Sequence, residues 1–360
     1  MHKPAACLAA GAILIASPAL ADPFEYDREA VADGVHLIYR VDPVRLPVEG
    51  NIVVIEQAGG LVVIDSGGSS LAAERIIAQI REITDQPVTH LVNTHWHGDH
   101  HLGNAAFVDA WPDVELIAHE NTITHISGEA MDYIETSADQ LEQARVSLQP
   151  LAETGALPDG TEVPAEIADY YVALYHDLDT LIEAMATIEI VAPRRGFSDT
   201  LLLDDPERPV ELRYPGRGNT DGDTIAWLPR QRIVVTGDLV VHPTPFGFGS
   251  YPADWITTLE AIKALEYDWL IPGHGAVQTD TVYVDRLIAL IAEVRAQIAP
   301  LADAGMSLEE VRAEVDLTEH QALFSGGDAW IASRFNAWWV QPFVGVAYQE
   351  ATGEPIVQGQ

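Results

Sequence analysis

Thr94-His95-Trp96-His97-Gly98-Asp99-His100-His101 sets four histidines and an aspartate within residues 95–101 of a chain that has 13 histidines in 360 residues. Residues 88–92 just before it are β-branched and apolar, as in a buried strand. Residues from about 100 to 110 just after it have helical spacing. A strand end that passes through a turn at Gly98 into a helix directs alternate side chains at one point, which is what a metal ion requires.

Working outward, residues 35–39, 52–56 and 61–64 read as buried strands joined in part by Gly59-Gly60. Residues 71–83 follow as a helix with Ser69 and Ser70 as candidate caps, and residues 114–118 form the next strand. Residues from about 120 to 195 read differently. Ala, Glu, Leu and Ile recur there at helical spacing with a break at Pro158-Asp159-Gly160, the pattern of an insertion of two or three helices. Strands resume at 200–203, 210–214, 224–228 and 233–236, then a helix at 255–265, a strand at 269–271 and a long helix at 281–298. The remainder, about 300–360, reads as an extension of one or two helices that packs Trp330, Trp338 and Trp339 inward. Two rounds of strands followed by helices predict an α/β fold of two mixed β-sheets face to face with helices outside. Residues 22–360 are expected to form one domain.

Residues 1–21 read as an export signal: Lys3 near the start, an apolar run, and Ala19-Leu20-Ala21 before the cleavage point. A periplasmic or secreted protein with no membrane-spanning segment in its mature chain is expected. Cys7 is the only cysteine and lies inside that signal. Any metal must therefore be held by nitrogen and oxygen donors, which excludes thiolate zinc and iron–sulfur sites. The 55 acidic residues against 19 basic ones give a formal charge of −36, with Lys3 and Lys263 the only lysines. Such a field repels nucleic acid and anionic membranes and suits a salty habitat.

Three further segments appear in order: Val63-Ile64-Asp65-Ser66-Gly67, Val235-Thr236-Gly237-Asp238 and Ile271-Pro272-Gly273-His274-Gly275. Together with the histidine segment they resemble the metallo-β-lactamase superfamily over about residues 35 to 275. The resemblance implies that sandwich fold and zinc as cofactor, as one or two ions, with iron or manganese as other metals that nitrogen and oxygen donors accept. It implies that His95 and His97 bind a first metal, that Asp99, His100 and His274 bind a second, and that Asp238 bridges them. Asp65 would stand behind a ligand histidine and fix its tautomer. Where the family usually has a histidine, this chain has Asn219, in Gly216-Arg217-Gly218-Asn219-Thr220. An amide oxygen is a weaker donor than imidazole, so the first site is expected to bind less tightly.

The implied function is hydrolysis of a small carbonyl substrate (ester, lactone, thioester or β-lactam) by metal-activated water, with Asp99 as orienting base. A metallo-β-lactamase proper, a phosphodiesterase and a non-catalytic metal-binding protein are the other classes it admits. Asp238 favours the non-lactam groups, since several lactam-hydrolysing ones carry Cys or Ser there. The loop from His242 to Pro252, rich in Gly, Pro and aromatics, marks His242, Phe246, Phe248 and Tyr251 as candidate pocket residues.

Overall fold

Alternation of apolar residues along the strands decides the layering. In the computed structural model, which describes residues 22–157 and 160–358, a first sheet runs β1 (Asp27–Ala32), β2 (Val35–Tyr39), β3 (Ile52–Gln57), β4 (Gly60–Ile64), β5 (Val88–Val92), β6 (Glu115–His119) and β7 (Arg195–Phe197) in that spatial order. It is antiparallel from β1 to β4 and parallel from β4 to β7. The second sheet holds β8 (Thr200–Leu203), β9 (Val210–Arg213), β10 (Ile225–Leu228), β11 (Ile233–Val235) and β12 (Trp269–Ile271), antiparallel except for the β11–β12 pair.

Because successive strand side chains point to opposite faces, Val53 and Ile55 of β3 meet Leu212 and Val235 in the core between the sheets. Ile52 and Val54 enter the outer core instead, against α1 (Ser70–Ile83) and α3 (Asn104–Ala110). The far face of the second sheet packs on α7 (Pro252–Lys263) and α8 (Val282–Asp303) through Trp255, Leu259, Leu287 and Ile291. These four layers, helix, sheet, sheet, helix, are the expected α/β sandwich.

Ser69 caps α1 by accepting from Ala72 N. The single helix expected over 100–110 is instead two pieces, the short α2 (Gly98–His101) and α3. Gly103 separates them because it packs directly on the Ser66 carbonyl, where no side chain fits. The insertion supplies α4 (Glu120–Ile126), α5 (Ile134–Thr154) and α6 (Ala165–Ala186). The C-terminal region holds more helices than the one or two expected: α9 (Leu308–Glu314), α10 (Thr318–Ser325), α11 (Ala329–Arg334), a π-helical stretch Phe335–Val340, and α12 (Gln341–Thr352). Short turns with their own caps, such as Asp328 accepting from Ile331 N, break what reads as continuous amphipathic sequence. No helix among the described residues is long and apolar enough to cross a membrane. The export-signal reading of residues 1–21, with Cys7, lies outside the described residues, as do Pro158 and Asp159.

Candidate metal centre

The site forms where strands of both sheets end. β4 runs into Asp65, β5 into Thr94 and His95, β11 into Asp238, and β12 into His274. Asp65 has a left-handed backbone (φ 64°), which aspartate tolerates better than a branched residue. Its carboxylate accepts from Thr94 N and Thr94 Oγ1, both at 2.8 Å, and faces His100 Nδ1 at 2.8 Å. Gly273 lies so close to the Asp238 carboxylate that any Cβ would collide with it.

One end of the site gathers Asp99, His100 and His274. His100 Nε2 and His274 Nε2 are 3.2 Å apart, and Asp99 Oδ2 lies 3.0 Å from His274 Nε2 and 3.4 Å from His100 Nε2. Asp238 Oδ1 joins at 3.3 Å from His100 Nε2 and 3.4 Å from His274 Nε2. Burial opposes charge here, yet the neighbours prevail. His100 and His274 hold the Asp99 and Asp238 carboxyls well below the usual range, and Asp238 and Asp99 raise His274 to about 9.

At the other end, His95 Nε2 faces His97 Nδ1 at 2.9 Å and Asp238 Oδ2 at 3.7 Å. Burial pushes His95 well below its ordinary value and His97 down to about 4, so both rings are neutral donors. Asn219 is fully buried, and its Nδ2 donates to the Phe246 carbonyl at 2.9 Å. Its Oδ1 has no hydrogen-bond partner. A buried amide oxygen left without a proton donor costs stability unless a cation or ligand meets it.

The arrangement fits a divalent metal. His95, His100 and Asp238 form one group whose donor atoms lie within 4.8 Å of one another, and Asp99, His100 and His274 form a second. The donors of these two groups are imidazole and carboxylate, a set that zinc accepts, and neither His97 nor Asn219 belongs to them. His101 points away, with Nε2 on the Trp96 carbonyl at 2.9 Å.

A cleft of about 450 Å³, counting its open mouth, lies over the centre. His97, Asp99, Asp238 and His274 form its polar floor, and Val44, Val48, Phe246 and Trp338 stand among its walls. His242 and Phe246 line it. Phe248 and Tyr251 do not. Phe248 covers Phe246 from outside (centroids 4.6 Å apart), and Tyr251 lies under the Arg217 guanidinium at 4.4 Å. A Gly/Pro-rich loop announces a pocket wall without saying which aromatic faces inward.

Sequence reasoning missed several residues. Val44, Val48 and Trp338 wall the cleft from distant parts of the chain. Thr244 is buried and lines it with Oγ1 unpartnered, as is His242 Nδ1. Asn51 clamps the His274 turn by donating to the Pro272 and Gly275 carbonyls at 2.9 Å each. An asparagine just before a strand gives no cue to that role.

Comparison with known proteins gives a match of residues 45–274 to the metallo-beta-lactamase superfamily. A linear primary-alkylsulfatase from Pseudomonas sp. (strain ATCC 19151) is 22% identical over 297 residues, 75% of this chain and 50% of that protein. The chain thus spans about half the length of that relative. A type 2 metallo-beta-lactamase from Bacillus sp. (strain 170) is 23% identical over 238 residues, 64% of this chain and 68% of that one. Among solved structures, a stereoselective inverting sec-alkylsulfatase from Pseudomonas sp. superposes with a TM-score of 0.59 at 16% identity, over 90% of this chain and 50% of the other.

Proposed function

The chain belongs to the metallo-beta-lactamase superfamily, and from that premise we propose that it is a metal-dependent hydrolase, an exported zinc enzyme that cleaves small neutral esters. His95, His97 and Asn219 would hold one ion, Asp99, His100 and His274 a second, with Asp238 between them. Zinc bound there supplies Lewis acidity toward the carbonyl oxygen and acidifies water toward neutrality. The observation that carries the ester reading is the cleft lining. Beyond the residues that would hold the ions its walls are largely apolar, and no arginine or lysine is among the described residues around it. An anionic substrate would enter without a side-chain counter-ion, in a protein of charge −36.

Asp99 orients the attacking water. A carboxylate within hydrogen-bond reach of the water is a competent base. It therefore passes the proton from the water to the leaving alcohol oxygen as the new C–O bond forms and the ester C–O bond breaks. Thr244 Oγ1 and His242 Nδ1 offer the substrate two uncommitted polar atoms in the cleft. Phe246 and Trp338 exclude water from the apolar side.

A second reading, hydrolysis of alkyl sulfates, is favoured by the alkylsulfatase relative, which aligns with 75% of this chain. Measuring kcat/KM on zinc-loaded protein for a neutral ester, an alkyl sulfate and a β-lactam of similar size separates the readings. A neutral ester preferred by at least about tenfold, with activity abolished by chelation and restored by zinc, is expected. Preference for the sulfate replaces the ester reading with the second, and activity that survives full chelation overturns both.

A further inference from the structure

Val48 and Asp99 each line two cavities. Beyond the cleft over the metal centre lies a second chamber of about 1120 Å³, counting its open mouth. Phe24, Leu46, Leu102, Leu141, Leu181 and Met185 are among its walls. Leu141 and Met185 belong to α5 and α6, the hairpin of the insertion, and Phe24 and Leu46 to the segments flanking β1 and β2. The insertion therefore walls one side of an open groove whose floor is the metal-bearing loop itself, at Gly98 and Asp99.

Two of the polar groups at the chamber's edge are already engaged. Glu49 accepts from Tyr26 Oη at 3.0 Å and from Gly68 N at 2.8 Å. Ser137 Oγ donates back to the Tyr133 carbonyl at 2.9 Å. A space bounded mostly by apolar side chains gains little from water and much from an apolar occupant. An uncharged chain is also the occupant that a net charge of −36 does not repel.

We infer that this chamber takes the apolar acyl or alkyl chain of the substrate, which passes beside Val48 and Asp99 so that the scissile bond lies over the metal centre. The position of the bond rests on the ester-hydrolase reading above. Binding of the chain does not.

The test uses the zinc-loaded protein with p-nitrophenyl acetate, butyrate, octanoate and decanoate, beside Ser137→Trp and Leu141→Trp, which fill the chamber. Burial of a methylene at about 0.8 kcal/mol corresponds to about fourfold in affinity, so kcat/KM is expected to climb with chain length by up to about fourfold per methylene until the chamber is full. The ratio of decanoate to acetate kcat/KM should fall at least about tenfold in either tryptophan variant, and Leu141→Ala should move the preferred chain toward greater length.

A readout apart from turnover is binding of the neutral fluorophore N-phenyl-1-naphthylamine. It should be displaced by decanol from the parent and bind about tenfold more weakly to the filled variants. A flat chain-length series, or filled variants that keep both the parent's ratio and its fluorophore affinity, overturns the inference. Loss of all ester hydrolysis with the fluorophore result intact overturns the ester reading and upholds the chamber.

Discussion

The two ends of the metal centre share one histidine loop, yet the protein holds them differently. At one end His100 Nδ1 meets Asp65 directly at 2.8 Å. At the other, His95 Nδ1 faces Thr94 Oγ1 at 3.0 Å, and that hydroxyl spends its single proton on Asp65 at 2.8 Å. Thr94 must therefore accept from His95. Both imidazoles are thereby fixed as Nδ1–H tautomers with Nε2 turned to the centre, one by a carboxylate and one through a hydroxyl relay. A carboxylate contact raises the basicity of a ligand imidazole more than a hydroxyl does. The His100 end also has Asp99 to itself and shares Asp238 with the His95 end, which on the reading above has, besides its imidazoles, only the neutral amide of Asn219. The expected result is one tight site and one weaker site.

The largest effect should come from Asp99, which serves the tight end and, on the reading above, the attacking water. Asp99→Ala is expected to lower kcat by about 10³-fold, within the range usual for a positioned acid or base. Steady-state kinetics under saturating zinc measure this. A loss that excess zinc restores in full would reduce Asp99 to a ligand alone.

Asp65 stands behind both ends, and Thr94 behind one. Asp65→Ala is expected to weaken zinc binding at both sites by about 10–100-fold. Thr94→Val keeps Asp65 on His100 and should weaken only the second ion to bind, by about tenfold. Zinc titration against a chromophoric chelator resolves two steps in the parent. Equal weakening of both steps by Thr94→Val would break the distinction between the ends.

Asn219→His replaces the orphaned amide oxygen with imidazole, and the weaker step should tighten by about tenfold, or 1.4 kcal/mol. Asn219→Ala should loosen it. If neither variant changes the weaker step, Asn219 is not a ligand, and its unpartnered Oδ1 awaits the substrate instead.

Much of this centre was legible because it is written in short segments. Asp65, Asp238 and His274 each follow an apolar β-branched run, so strand ends and donors were read together. The paired sheets were legible for the same reason, since the continuous apolar, β-branched runs of β3 and β4, buried on both faces, are local information. The cleft was not. Val48 and Trp338 line the same cleft from opposite ends of the chain, and only packing of the C-terminal helices on α7 and α8 brings the tryptophan there. β1 escaped notice because it is an edge strand: Asp27 to Ala30 are exposed and carry no apolar alternation. Phe248 and Tyr251 were misplaced because loop composition does not encode which side a ring faces.

The smallest effect concerns Glu49, a carboxyl that the His100 end has nearby and the His95 end lacks. Burial raises it from 4.5 to about 7, against the pull of the Gly68 N–H and Arg40. A carboxyl whose folded value lies above its unfolded one contributes stability that is full below about 4.5 and is lost as pH rises through about 7. Glu49→Gln keeps an acceptor for Gly68 N and Tyr26 Oη without the ionisable proton. Between pH 5 and pH 8 the parent should therefore lose more stability than the variant, by roughly 3 kcal/mol at most, read as a relative Tm change of a few degrees. If zinc already neutralises the charge that Asp99 presses on Glu49, the pH effect should be larger in chelated protein than in zinc-loaded protein. That difference would measure how far the field of the tight site reaches into the wall of the second chamber.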